Sequence, residues 1–423
     1  MVIEKRKNNS REHAIIVAVN ITGSDELDLK EELEELELLS ATAGAVIIDK
    51  AIQNRNKIDP STFIGSGKVK SIINNAKELG VTVIIFNDEL TPAQLKNIQK
   101  IAGDQLKIID RTGLILDIFE KHAKTRESKV QIKLARLKYL LPRLTRQWTH
   151  LERQMGGVGT RGGPGEAQIE IDRRLIRNQI NLLSKQLKNI QKQRLTQHKN
   201  REGIYKVSLA GYTNSGKSTL MQSITKSNIY IQDQLFATLD TTTRKVEDKK
   251  RYSFLLSDTV GFIRNLPHDL IASFRSTLME IQESDLILKI IDSSSTNIDV
   301  HLSAIKEVFK TLKVSDKLEL IVFNKIDLIS SEDLNKLKRI YPNSLFISAQ
   351  KELKINELLD AIQKKLSQLN EIVEVRISYD KLFIIDYIYK TCKIIKRKDG
   401  YNGVTLKLES SMANVRKLKS KLK

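Results

Sequence analysis

Residues 206–220 read KVSLAGYTNSGKSTL. Val207–Ala210 has the composition of a buried strand, Gly211 ends it, and an apolar helical pattern opens after Ser218. Between them stands G-x-x-x-x-G-K-S, in the strand-then-helix context that makes such a loop an anion cradle. Gly211 and Gly216 let backbone N–H groups close around phosphate oxygens, and the helix N-terminus adds positive potential. Lys217 is expected to reach the β- and γ-phosphates, and the Ser218 hydroxyl to ligate magnesium. The bland reading, a glycine turn before a helix, leaves the flanking pattern unexplained. The stretch predicts a P-loop in an α/β fold.

Three later stretches sharpen this. FLLSDTVGF (Phe254–Phe262) reads as a strand delivering the Asp258 carboxylate toward the magnesium, with the Gly261 N–H facing the γ-phosphate. D-x-x-G is weak alone and gains force downstream of a P-loop. LIVFNKIDL (Leu320–Leu328) carries N-K-x-D after a strand. There Asp327 accepts from the N1–H and N2 amino groups of guanine, donors that adenine lacks. Lys325 is expected to lay its stem along the ring, and Asn324 to tie the site to the P-loop. FISAQ (Phe346–Gln350) follows, with the Ser348 and Ala349 backbone expected at the guanine O6. FATLDTTTR (Phe236–Arg244) falls where a switch segment belongs. Thr238 is the first choice for a second magnesium hydroxyl, with Thr241, Thr242 and Thr243 as competitors and a plain strand edge as the bland alternative. Lys217, Thr238 and Gly261 are the residues expected to act on the reacting phosphate.

Many switch GTPases place a water-orienting glutamine directly after D-x-x-G. Here that residue is Phe262, which predicts slow hydrolysis unless another side chain or a partner supplies the missing group.

Around this core the chain divides into four expected parts: an α/β domain (1–120), a basic helical hairpin (121–202), the P-loop domain (203–370) and a small α+β module (371–423). In the first, strand candidates at 14–19, 44–48, 81–86 and 106–110 alternate with helical patterns near Asp25–Leu39, Val69–Leu79 and Pro92–Ile101, which implies a parallel sheet. IGSGKVK (Ile64–Lys70) resembles a phosphate loop but lacks the earlier glycine, and Val69 stands where the magnesium hydroxyl belongs. A plain turn starting a helix is the better reading. In the hairpin, Val130, Leu134, Leu137, Leu141, Leu144, Trp148 and Leu151 follow steps of four and three. Ile169, Ile176, Ile180, Leu183, Leu187 and Ile190 answer them, which predicts antiparallel coiled-coil packing with a kink at Pro142. The connection GGVGTRGGPGE (156–166) holds six glycines. A flexible linker needs no Arg161, so the tip is read as an RNA probe built from Gly156, Gly157, Gly159, Arg161, Gly162, Gly163 and Gly165, with Arg173 and Arg174 on the second helix. At the other end a hairpin turn is expected at Asp399–Gly403 and a basic helix at the C-terminus.

The chain has 423 residues and a net charge of +20. Residues 120–202 hold 20 basic and 7 acidic residues, so the surplus is concentrated rather than spread by a genome's preference for lysine. That footprint predicts a nucleic-acid partner. The single cysteine, Cys392, excludes an internal disulfide and reads as a buried small hydrophobe. No apolar run is long enough to span a membrane and the N-terminus lacks a secretory pattern, so a cytoplasmic location is expected; a monomer is the expected state.

These motifs are similar to those of one family, the HflX-type GTPases. The resemblance rests on FIGSGK, on IIDRTGLILDIFEKHAKTRESKVQIKLARLKYLLPRL (Ile108–Leu144), on WTHLERQMGGVGTRGGPGE with DRRLIRNQI (Asp172–Ile180), and on FATLD with DTVGFIRNLP. It implies nucleotide contacts along the whole P-loop, including Tyr212, Thr213, Asn214 and Ser215. It further implies contacts at Phe236, Ala237, Leu239 and Asp240 beside Thr238, at Thr259 and Val260 between Asp258 and Gly261, and at Ile326 within the base site. Bound GTP or GDP, Mg²⁺, and a large ribosomal subunit whose rRNA meets the glycine tip are implied as well. Such a factor splits or rescues stalled or idle ribosomes. The alternative is a GTP-gated RNA-binding factor that assembles the large subunit without splitting. An ATP-driven helicase conflicts with N-K-x-D. Two departures stand out: this tip carries one extra glycine, and Thr241 replaces the proline usual after FATLD.

Overall fold

The computed structural model of the chain describes residues 12–22, 26–144, 166–199, 204–226, 236, 241–248, 251–264, 275–314 and 316–422. They divide into two compact units.

The first unit is built on a four-stranded parallel sheet in the order β2-β1-β3-β4. Its strands are β1 (Glu12–Ile21), β2 (Ala45–Arg55), β3 (Val83–Phe86) and β4 (Lys107–Asp110), alternating with α1 (Glu26–Ala43), α2 (Ser66–Glu78) and α3 (Pro92–Ala102). β1 and β3 are apolar almost throughout because both their faces are covered. β2 runs to Arg55, well past Ile48, with half-buried and exposed positions alternating from Ile47 on. Its polar half carries no hydrophobic signal, as suits an edge strand. Gly65 is the N-cap of α2, at φ −58° and with no side-chain cap, so IGSGKVK is a turn entering a helix.

Two more helices follow, α4 (Arg111–His122) and α5 (Arg126–Leu140). Asp110 fastens them. Its fully buried carboxylate accepts from the Gly113 N–H at 2.8 Å and the Tyr139 hydroxyl at 2.8 Å, and Arg143 donates to it at 3.4 Å. The regular helix stops at Leu140, and Pro142 lies in a 3-10 turn, Leu141–Arg143, so the chain ends the helix where a kink was expected. α6 (Glu166–Lys199) supplies the second hairpin helix. Leu137, Leu144 and Ile176 form a small core with Leu141, Ile180 and Leu183 against it, which is part of the predicted seam. Trp148, Leu151 and the glycine tip lie outside the described residues.

The second unit holds a six-stranded sheet in the order β10-β9-β8-β5-β7-β6. Its strands are β5 (Tyr205–Gly211), β6 (Thr242–Asp248), β7 (Arg251–Asp258), β8 (Leu286–Asp292), β9 (Leu318–Asn324) and β10 (Leu345–Phe346). All pairings but β6–β7 are parallel. The helices are α7 (Lys217–Thr225), α8 (Arg275–Glu283, its first residue assigned to the first unit), α9 (Ile298–Leu312), α10 (Ser331–Ile340) and α11 (Ile355–Ser367). β5 lies centrally with β8 on one side and β7 on the other, the place where an open α/β sheet binds its ligand. Thr242 and Thr243 belong to edge strand β6, and the Thr243 hydroxyl lies 3.0 Å from that of Ser257.

The same unit carries a three-stranded antiparallel sheet, order β11-β13-β12, from β11 (Asn370–Ile377), β12 (Lys393–Gly400) and β13 (Gly403–Ser411). Helices α12 (Phe383–Thr391) and α13 (Met412–Leu422) accompany it. β12 and β13 join through Tyr401 and Asn402, inside the predicted turn. Cys392 is only half-buried against this module's core, less covered than expected.

Candidate nucleotide site

Backbone hydrogen bonds fix the loop that leaves β5. The Phe262 N–H donates to the Gly211 carbonyl at 3.0 Å, and the Thr213 N–H donates to the Phe262 carbonyl at 2.8 Å. The P-loop and the D-x-x-G stretch are thus stitched together over the sheet end. Tyr212 stacks on the His301 ring at 4.1 Å, a contact no motif announced. Asn214 takes a left-handed φ of 59°, and Ser215 is buried.

Gly216 caps α7 at φ +86°, and a Cβ there would sit 2.2 Å from the Asn324 amide nitrogen. No side chain fits. The same Asn324 amide donates to the Ser215 carbonyl at 2.9 Å, and its oxygen accepts the Ala349 N–H at 2.9 Å. One buried asparagine therefore joins the phosphate loop, the end of β9 and the FISAQ loop.

Lys217 is buried, and its ammonium donates to the Gly211 and Tyr212 carbonyls at 3.1 and 2.6 Å. Burial pushes it down to about 8, with Asp258 pulling the other way. A Cβ on Gly261 would lie 3.1 Å from this ammonium, so the D-x-x-G glycine passes directly over the lysine. The Ser218 hydroxyl donates to Asp258 at 2.6 Å, bringing two hard oxygen donors together. The Thr259 hydroxyl is spent on the Leu209 carbonyl at 2.7 Å, and Val260 is buried. Phe262 faces inward, 2% exposed and edge-on to Phe309.

At the base site Lys325 adopts φ 64° and its ammonium pairs with Asp292 at 2.7 Å. Asp292 ends β8 directly opposite Asn324, a neighbour that only strand pairing reveals. Asp327 is exposed in the 3-10 turn Ile326–Leu328, which the Ile326 N–H anchors to the Ile347 carbonyl at 3.2 Å. Two sets of expected contact residues already have partners. The Ser348 N–H donates to the Leu353 carbonyl at 3.2 Å and the Ala349 N–H to Asn324 at 2.9 Å. Phe236 belongs to the first unit, its ring buried edge-on against Phe119 at 4.7 Å.

Ala237, Thr238, Leu239 and Asp240 lie outside the described residues, as do Gly156, Gly157, Gly159, Arg161, Gly162, Gly163 and Gly165. On α6, Arg173 is half-exposed and lies 3.8 Å from Glu170, and Arg174 is exposed.

A glycine loop between β5 and α7, a carboxylate at the end of β7 and N-K-x-D after β9 define a P-loop domain of the GTP-binding class. Three family models match stretches of the chain. "GTP-binding GTPase N-terminal" matches residues 30–120, "GTP-binding GTPase Middle Region" residues 122–201, and "50S ribosome-binding GTPase" residues 206–325. GTPase HflX of Flavobacterium psychrophilum is 44% identical over 409 residues, covering 91% of this chain and 97% of that protein. GTPase HflX of Caldanaerobacter subterraneus is 39% identical, covering 94% and 91%. GTPase HflX of Escherichia coli K12 is 40% identical, covering 84% and 83%. The chain belongs to the HflX family of GTPases: it binds guanine nucleotide and hydrolyses GTP. Among the described residues, no helix is long and apolar enough to cross a membrane.

Proposed function

We propose that this GTPase acts in the cytoplasm as a monomer on the large ribosomal subunit, and that it splits or rescues stalled or idle ribosomes. The observation that carries the reading is the placement of charge: 20 basic against 7 acidic residues between 120 and 202, a stretch that contains the segment 122–201 matched by the middle-region model. The four-part division supports it, with the hairpin and its glycine tip as the rRNA-contacting arm and the P-loop domain as the timer.

In the nucleotide site the loop amides of 211–218 cradle the phosphates, and Lys217 exchanges its two loop carbonyls for phosphate oxygens. Asp327 selects guanine. Ser218 and Asp258 suit Mg²⁺, both being oxygen donors within 2.6 Å of one another, and Thr238 is assigned the second hydroxyl. When bound, Mg²⁺ would supply charge neutralisation for the phosphates. Phe262 offers no hydrogen bond to an attacking water, and its burial turns the ring away. Hydrolysis by the protein alone is then slow, by about a hundredfold or more against a site with a water-positioning group, and large subunits stimulate it.

The decisive experiment adds protein and a non-hydrolysable GTP analogue to intact ribosomes and follows them by sedimentation. Splitting into subunits supports the reading. Binding to large subunits without splitting supports the assembly-factor alternative, and binding to neither defeats both. Independently, Asp327→Asn should weaken GTP sharply and admit xanthosine nucleotides, whose C2 carbonyl accepts from the new amide. Undiminished GTP binding would remove the guanine assignment.

A further inference from the structure

Nothing in the GTPase chemistry uses the C-terminal module, yet its sheet has two very different faces. Val375, Ile377, Val404, Leu406 and Leu408 are buried in a core shared with Ile384 and Ile388 of α12 and Leu418 of α13. The other face follows from strand pairing, since residues directly opposite one another in an antiparallel ladder point the same way. Thr405 of β13 faces Arg376 and Lys398, Lys407 faces Glu374 and Lys396, and Glu409 faces Ile372 and Lys393. Glu409 is half-buried and lies 3.6 Å from Lys393. Arg376, Lys396, Lys398 and Lys407 are all exposed, with Glu374 as their one further carboxylate on that face.

The hairpin end of this sheet carries aromatic rings. Tyr401, at the tip of the β12–β13 hairpin, is fully exposed, at 103% of its reference area. Tyr379 is half-exposed, and its hydroxyl donates to the Gly400 carbonyl at 2.7 Å, which brings it to the same hairpin end. Lysines in a surface grid are ordinarily only solvated. Lysines beside two tyrosine rings held at the surface, on a sheet whose opposite face is its core, have the makings of a single-strand binding platform. Cations track the backbone and rings stack on bases. An acidic protein would use the cations but gain little from the rings.

We propose that this open face, Arg376, Lys396, Lys398 and Lys407 with Tyr401 and Tyr379 at its hairpin end, is a second RNA-binding surface that takes single-stranded or looped RNA. The identity of the polyanion as RNA rests on the ribosomal reading. The surface itself does not depend on ribosome splitting.

The test uses the full chain and a 5-bromouridine-substituted single-stranded RNA of about 12 nucleotides, within the usual site sizes. Binding is followed across a salt series, and photo-crosslinked residues are mapped by mass spectrometry. Crosslinks at Tyr401 or Tyr379 are expected in addition to any within 121–202. The triple variant Lys396→Gln, Lys398→Gln, Lys407→Gln should lose them and lower the slope of log affinity against log salt by about 2, at roughly 0.7 per phosphate contact. Arginine at the same three positions should restore both readouts, which separates charge from misfolding. Tyr401→Ala should lose its crosslink and keep the salt slope. Crosslinks confined to 121–202 with an unchanged slope in the triple variant would overturn the proposal. So would displacement of wild type from this face by polyglutamate but not by excess unlabelled RNA, which would assign the face to an acidic protein. Neither outcome bears on whether ribosomes are split.

Discussion

The chain contains the letters S-G-K twice after a glycine, and the two turns behave in opposite ways. At Gly65–Lys68 the first glycine has φ −58°, and Gly67 has nothing within 4 Å of where a Cβ would stand. At Gly211–Ser218 the glycine in the same helix N-cap position as Gly65, Gly216, is left-handed at φ +86° with the Asn324 amide 2.2 Å from where its Cβ would stand. Lys68 is half-exposed, whereas Lys217 is buried across two carbonyls of its own loop. Both turns open a helix. At Gly65 a Cβ would meet only the ends of the Arg55 and Gln53 side chains, at 3.4 and 3.5 Å, so only the Gly216 turn leaves no room, and that crowding is what turns a glycine turn into a cradle.

The largest expected effect tests that crowding. Gly216→Ala must relieve both a strained φ and a clash with Asn324, so guanine nucleotide binding measured by fluorescence or calorimetry should become undetectable. Binding within a few-fold of wild type would mean that the Asn324 hub yields and does not define the loop. Next, Lys217→Ala should cut hydrolysis by about a hundred- to a thousandfold, with or without large subunits, because it removes the positive charge preorganised for the phosphates. Lys68→Ala should leave turnover unchanged. Equal losses from both lysines would erase the contrast between the two turns.

A smaller effect is proton linkage. Lys217 has its folded value lowered to about 8 from the ordinary 10.5, so the free protein gains stability as pH rises from about 8 toward 10.5, where the unfolded chain alone still holds the proton. A triphosphate favours the ammonium and reverses the shift. Binding at pH 8 should therefore take up a fraction of a proton, and affinity should fall between pH 8 and 10. Calorimetry in two buffers of different ionisation enthalpy reads the uptake directly. Lys217→Arg should abolish it, and zero uptake in wild type would show a fully charged lysine in the free loop. The smallest effect belongs to the open turn. Gly67→Ala, in the first turn of α2, should stabilise the protein by up to about 1 kcal/mol through helix propensity, read as a raised thermal midpoint. A destabilised variant would show that Gly67 meets something when the protein is in solution.

The P-loop, Asp258 and the N-K-x-D strand were legible because each needs only a strand end and a few residues of loop, and such local patterns survive in one dimension. The β1 and β3 cores were legible for the same reason, as unbroken apolar runs. Other features had no local signal. Half of β2 is polar. Asp292 reaches Lys325 only because β8 pairs with β9, and His301 reaches Tyr212 from a separate helix. Phe236 reads like part of a switch, but its ring is held by Phe119.

The sequence by itself determined which loop carries the lysine, the serine and the glycines, where the carboxylates follow, and where the positive charge is concentrated. These are statements about order along a chain. Tertiary structure decided which glycine has no room for a side chain, which amides of the FISAQ loop are already engaged, that Phe262 points into the core, and that one face of the last sheet is left open. Each of these depends on what lies opposite a residue across a sheet or loop. Steric exclusion, desolvation and hydrogen-bond competition act between neighbours in space, and the neighbours here are drawn from segments far apart in the chain.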